Sequence, residues 1–246
     1  MASEKITFIG HSTLLIEAAG KKVLTDPWYN EPVYGGIYHR KPPGIPLDQL
    51  NDVDVILISH AHKDHFDEKA LGQLNKNALV LLPTDKMAQS VQSLGYSRAE
   101  KLEPWAEKTE GGLTITALPA KHPIYQVGFL VKGEEKSIYF AGDTRSTPEL
   151  SAVAEKFKID VALLPIAGLK MLYLFRVVMG PDEAAQAAKT LNARVIIPIH
   201  YDLNLRSMAR LMVQQTSESV EKLREAMKTQ GCPAELVVLD EGECYS

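Results

Sequence analysis

Runs of apolar residues with two different rhythms organise the 246-residue chain. KITFIG (5–10), TLLIEA (13–18) and KKVLTDP (21–27) read as β-strands, and Gly20-Lys21 supplies a turn, so the chain opens as an antiparallel unit. DVILIS (54–59) is an unbroken β-branched run, the mark of a strand buried on both faces. Strand and helix patterns then alternate. Helices are expected over 67–74, over 85–94 with Thr84 as N-cap, over 148–157, from Gly180-Pro181 onward, and in a long segment ending before Gly231. Strands are expected at LVLL (79–82), 113–120, 127–132, 137–142, 160–166, 194–199 and 235–240. Residues 28–48 break the rhythm with four prolines and three glycines, a composition for an ordered loop of the kind that borders binding sites.

Mixed strands and helices with no linker imply a single α/β (α+β mixed) domain over residues 1–246. One internal echo stands out: Asp54-VILIS-His60 and Arg194-VIIPI-His200 are both buried strands that terminate in histidine. Strands of this kind deliver polar side chains to a sheet edge, and two such edges facing each other would form a cleft.

Composition narrows the function. The net charge of −4 lacks the basic surplus of a protein that neutralises nucleic-acid phosphates, so no nucleic acid is expected and a small-molecule substrate is favoured. No run of about 18 apolar residues predicts a membrane span. The opening MASEKITFIG lacks the apolar stretch of a signal peptide, so a cytoplasmic location is expected. The two cysteines, Cys232 and Cys244, read as plain thiols rather than as a disulfide or metal ligands.

Chemistry concentrates at His60-Ala61-His62-Lys63-Asp64-His65, which places three of the seven histidines and an aspartate in a short loop after a buried strand. Neutral imidazoles and carboxylates are ligands for zinc, manganese or iron, and one loop supplying several fixes their geometry. His122, Asp143 after Gly142, and His200 each follow a strand downstream, where they could complete such a cluster. Singly, each is also compatible with a turn or a surface residue.

The order HxHxDH, His, Gly-Asp, strand-His resembles the metallo-β-lactamase superfamily over nearly the whole chain. Gly10-His11-Ser12-Thr13 and Leu24-Thr25-Asp26-Pro27 are similar in particular to the branch holding ascorbate-6-phosphate lactonase and uncharacterised bacterial metal-dependent hydrolases. The resemblance implies a four-layer αβ/βα sandwich and two divalent metal ions. One would be held by His60, His62 and His122, the other by Asp64, His65 and His200, with Asp143 bridging. A metal-bridging hydroxide would then cleave a small ester-type substrate (a lactone, phosphodiester or amide), with Asp64 orienting it. Asp26 would orient a ligand histidine from behind, or else only begin a turn. His11 would donate a proton or contact substrate, a plain turn histidine being the other reading, and His39 reads as a loop residue. Asp143 stands where β-lactam-hydrolysing relatives with a cysteine ligand differ, which weighs against antibiotic hydrolysis.

Two other readings remain. Iron-dependent redox chemistry of the sulfur dioxygenase type uses similar ligands, although flavin-coupled diiron relatives carry a glutamate where His62 stands. A non-catalytic metal-binding protein of the same fold is the other. A homo-oligomer is expected on general grounds. The stretch 169–179 (LKMLYLFRVVM) reads equally as a core helix or as a lid or association surface.

Overall fold

The computed structural model describes residues 4–30, 33, 38–39, 41–201, 203–205 and 209–246. Strands Lys5–Gly10, Thr13–Ala18 and Lys21–Thr25 form the expected antiparallel meander, with Ile6 opposite Ile16 and Leu15 opposite Leu24. Val55–Leu57, Leu79–Leu82 and Ala99–Lys101 extend it in parallel, and Cys244–Tyr245 borders the other edge. The second sheet repeats the plan. Glu107–Glu110, Leu113–Pro119, Val127–Lys132 and Ser137–Phe140 run antiparallel, followed in parallel by Val161–Pro165, Val195–Ile199 and Glu235–Leu236.

Period-two alternation decides what each face meets. Ile6, Phe8, Leu14, Ile16, Leu79 and Leu81 point inward against Ile115, Phe129, Val131, Phe140 and Leu163 of the opposite sheet. The residues between them, Ile9, Leu15, Val80 and Leu82, point outward beneath helices α1 (Glu68–Gln73) and α2 (Asp85–Ser93). On the far side Leu130, Ala162, Leu164 and Ile196 pack under α3 (Glu149–Lys156), α4 (Pro181–Thr190) and α5 (Ser219–Gln230). Helix, sheet, sheet and helix therefore stack in four layers, the αβ/βα sandwich expected of the metallo-β-lactamase fold. The helix ends follow the sequence cues. Thr84 Oγ1 accepts the Met87 N–H, Pro181 starts α4, and Gly231, at φ +61°, ends α5.

Three expectations need correction. Residues 169–179 form no helix. Lys170–Met171 and Phe175–Arg176 make a short hairpin, joined on one side by Val213–Gln214. The strand expected at 235–240 is only Glu235–Leu236, because the chain then turns Leu239 into the core between the sheets. Ala99–Lys101 and Glu107–Glu110 were unmarked in the apolar pattern because they are mostly charged, as suits strands at sheet edges.

Loops at the carboxyl ends of five strands carry Asp26, His60 to His65, His122, Asp143 and His200 to one edge of the sandwich. Asp67 clips two of these regions together. Its carboxylate caps α1 through the Lys69 and Ala70 N–H groups, and accepts the backbone N–H groups of Tyr29 (2.9 Å) and Asn30 (2.7 Å). Asp67→Ala removes the cap and leaves those donors without their acceptor. It is expected to lower the unfolding free energy by about 1–3 kcal/mol, read from urea denaturation.

Candidate metal centre

The site grows from one strand end. Ser59, last in the DVILIS run, donates its backbone N–H to Asp26 Oδ1 (2.7 Å) and its hydroxyl to Asp26 Oδ2 (2.6 Å). The hydroxyl proton is thereby used, so at 2.9 Å from His60 Nδ1 the Ser59 oxygen accepts, and His60 carries its proton on Nδ1. His65 Nδ1 lies 2.7 Å from Asp26 Oδ2 and must likewise donate. His122 Nδ1 faces two carbonyls, those of Asp143 and Val177, each at 3.1 Å, and donates to them. When neutral, these three rings therefore turn their Nε2 lone pairs inward.

The lone pairs converge. His62 Nδ1 sits 2.9 Å from His60 Nε2 and 3.2 Å from His122 Nε2. Two bare nitrogens and a third between them repel unless a proton or a cation is shared among them. Nitrogen ligands on a tetrahedral ion with bonds of about 2.0–2.1 Å stand roughly 3.3 Å apart, close to the spacing seen. With Asp143 these three histidines form one donor group, and Asp64, His65, His200 and His11 form a second. Asp143 Oδ2 lies between the groups, 3.0 Å from His200 Nε2, 3.3 Å from His65 Nε2 and 3.9 Å from His60 Nε2. Among the described residues, His65 Nε2, both nitrogens of His200 and Asp143 Oδ1 are buried without a well-aligned hydrogen bond. Buried donor and acceptor atoms of this kind are costly unless something binds them, and the residues fit divalent cations.

All seven residues expected to bind metal thus come together, with Asp26 behind His65 and Ser59. His11 stands beside Asp64 and His200 in the second donor group. Its Nε2 is 3.3 Å from Asp64 Oδ2 and its ring packs edge-on to Trp28. The side chain of His39 lies outside the described residues. Ser59 and the Val177 carbonyl were missed; only the position of Ser59 beside the HxHxDH run could have drawn attention to it. Backbone strain marks the same region, since Asp26 (φ 32°), His11 (φ 59°) and His200 (φ 49°) all adopt left-handed conformations. Gly142 is left-handed too, and a Cβ there would meet Ser59 Cβ at 2.9 Å.

A cavity of about 270 Å³ opens over the donors. His62, Asp64, His122, Asp143 and His200 line one side; Leu169, Met171, Val177, Val178 and Val213 line the other.

Residues 5–200 match the beta-lactamase superfamily domain. The chain belongs to the beta-lactamase superfamily. This superfamily member is 29% identical over 253 residues to a UPF0173 metal-dependent hydrolase of Methanopyrus kandleri, covering 98% of this chain and 99% of that one. It is 32% identical over 216 residues to a UPF0173 metal-dependent hydrolase of Aeropyrum pernix, covering 80% and 82%. A possible metal-dependent hydrolase from Veillonella parvula shares the fold of this superfamily member with a TM-score of 0.81 at 17% identity, over 99% of both chains. The superfamily member is accordingly one of the metal-dependent hydrolases.

Burial and mutual repulsion keep most of the rings neutral. Burial and His200 push His11 down to about 3, and burial and His122 push His62 down to about 4. Burial also lowers His60 and His122. Burial opposes charge on His65 as well, but Asp143, Asp64 and Asp26 outweigh it and raise that ring. Against the effect of burial, His65 draws Asp64 down, and His200 and His65 draw Asp143 down. Burial pushes the Asp26 carboxyl up, against the pull of His65 and Ser59.

A histidine whose folded pKa is depressed takes up protons preferentially when unfolded, so its stabilising share is present above about pH 6.5 and lost below it. His65, raised, is protonated preferentially in the fold between pH 7 and about 6 and offsets part of this loss there, but below that it is protonated in both states and the four depressed rings dominate. Chelator-treated protein is therefore expected to lose stability as pH falls from 7 to 5. The loss approaches about 1.4 kcal/mol per pH unit for each ring that stays neutral, and a urea midpoint independent of pH would contradict it. Gly142→Ala is expected to cost about 1–3 kcal/mol, measured the same way with metal present, by forcing strain and displacing Ser59.

Proposed function

We propose that the protein binds two divalent ions and hydrolyses a small, uncharged carbonyl substrate, a lactone or ester foremost and an amide next. His60, His62 and His122 would hold one ion, Asp64, His65 and His200 the other, with Asp143 shared. The inward-turned lone pairs of His60, His65 and His122 carry this reading. Zinc suits an all-nitrogen and oxygen donor set, and manganese or iron are the alternatives. Such ions lower the pKa of bound water toward neutrality and polarise a carbonyl.

The chain's own groups supply the rest. Asp64, drawn well below the usual carboxylate range, stays ionised and can orient the attacking water. His11, neutral at physiological pH, positions Asp64 by hydrogen bonding to Oδ2 and is a poor acid. Leu169, Met171, Val177, Val178 and Val213 receive an apolar group and exclude water. Among the described residues lining the cavity there is no lysine or arginine to meet a phosphate, which ranks a phosphodiester below a neutral carbonyl compound.

The test reloads chelated protein with zinc, manganese or iron and follows an acyl lactone, a p-nitroanilide and bis(p-nitrophenyl) phosphate, with Asp143→Ala as the control. Metal-dependent lactone turnover that falls at least ~100-fold in the variant, with about two ions bound per chain before and fewer after, is the expected result. Phosphodiester turnover alone would overturn the substrate class. Absence of bound metal would overturn the whole reading.

A further inference from the structure

One buried histidine stands outside the seven residues assigned to the ions. His11 is 5% exposed and follows its strand in a left-handed conformation (φ 59°), as His200 does (φ 49°) after a strand of the other sheet. The two are tied together: the His200 N–H donates to the His11 carbonyl at 2.9 Å, and their ring centroids lie 4.1 Å apart. A left-handed backbone is uncommon outside glycine, and such strain collects where a site needs it. For His200 that need is metal binding in the reading above. His11 shares its burial, its strain and its place after a strand.

Distances point to the same use. Asp64 Oδ2 faces three ring nitrogens: Nε2 of His11 at 3.3 Å, of His65 at 3.5 Å and of His200 at 3.9 Å. The neutral His65 ring spends its proton on Asp26 through Nδ1, so its Nε2 brings only a lone pair toward Asp64. A carboxylate and a lone pair facing each other repel, and a cation between them satisfies both. The spacings start at the roughly 3.3 Å that a tetrahedral ion with bonds of about 2.0–2.1 Å imposes on its ligands. One ligand atom from each of His11, Asp64, His65 and His200 lies within 4.8 Å of the others. Asp64 and His200 line the cavity, whereas His11 and His65 do not, so this pair closes the inner side of the group.

We infer that His11 is an eighth metal ligand, its Nε2 binding the ion held by Asp64, His65 and His200. His11 thereby holds Asp64 through the ion they share rather than through a direct hydrogen bond, an assignment that rests on the two-ion reading. Its Nδ1 then carries the ring proton, and that nitrogen is buried without a well-aligned hydrogen bond among the described residues. The same is true of His200 Nδ1. A cavity of about 20 Å³ bordered by His11, Tyr201, Asp240 and Glu241 has room for one water to accept the His11 proton. The two ions are unequal on this assignment. One is enclosed by four buried side chains, and the other includes the half-buried His62 and His122 among its ligands.

A crystal structure of the zinc-loaded wild-type protein tests this. His11 Nε2 is expected about 2.0–2.1 Å from an ion. Two bound ions with that nitrogen more than ~3 Å from either would overturn the inference and leave the two-ion reading standing, whereas a site that takes up no zinc overturns both. Calorimetric zinc titration of His11→Asn is the second measurement, since asparagine accepts the left-handed backbone but does not carry the ring. The variant is expected to bind one ion as the wild type does, which shows that it folds, and the other at least ~100-fold more weakly. Loss of an orienting hydrogen bond alone costs about 10–100-fold, so a smaller loss assigns His11 to orienting Asp64 and overturns the inference. The wild-type structure decides the matter should the variant bind neither ion.

Discussion

Three carboxylates buried around the single ring of His65 repel, and so do imidazoles whose lone pairs face each other. The arrangement of Asp26, Asp64 and Asp143 among the histidines is tolerable because each unfavourable pair encloses a place for positive charge. Without a cation that charge is a proton, held chiefly on His65, whose ring three carboxylates drive upward. Around this constraint the loops are tightly fixed. Ser59 and Asp67 hold the 60–65 loop from either side, the one by anchoring Asp26 and the other by tying 29–30 to the start of α1.

The two-sheet sandwich explains why such a cluster can be held at all. Each sheet has an antiparallel half and a parallel half, and its inward face is almost wholly aliphatic and aromatic. Tightly packed layers move little, so strand ends can project polar groups into fixed positions. Strain at Asp26, His11 and His200 is sustained by this rigidity: a left-handed histidine at the end of a fully buried strand persists because its neighbours leave it no alternative.

Much of this was legible in the residues. HxHxDH, His122, Asp143 and His200 were recognisable because ligand chemistry restricts residue type, and because each follows an apolar run that places it at a strand end. The layers were legible because inward and outward positions alternate. What escaped was set by three-dimensional company rather than by local pattern. The Val177 carbonyl orienting His122 is a backbone group with no sequence signature. His11 was recognised as a site residue, but its packing against Trp28 and its bond to Asp64 follow from long-range contacts. Of the two readings the 169–179 segment left open, the helix is excluded by the hairpin. A mostly apolar segment ordinarily signals burial, and here only its base is buried while the tip stands in solvent.

The seven candidate donors come from four loops spread between residues 60 and 200, with the 60–65 loop on one sheet and His122, Asp143 and His200 on the other. During synthesis the first half of the chain can offer only part of a chelating set, and the set is complete only once His200 has emerged. Metal acquisition through this set would therefore be a late event in biogenesis. A bound ion would act as a cross-link between the two halves of the chain, formed after their docking and resisting their separation. A truncated or half-assembled chain would lack this clasp, so retained metal would report a finished molecule.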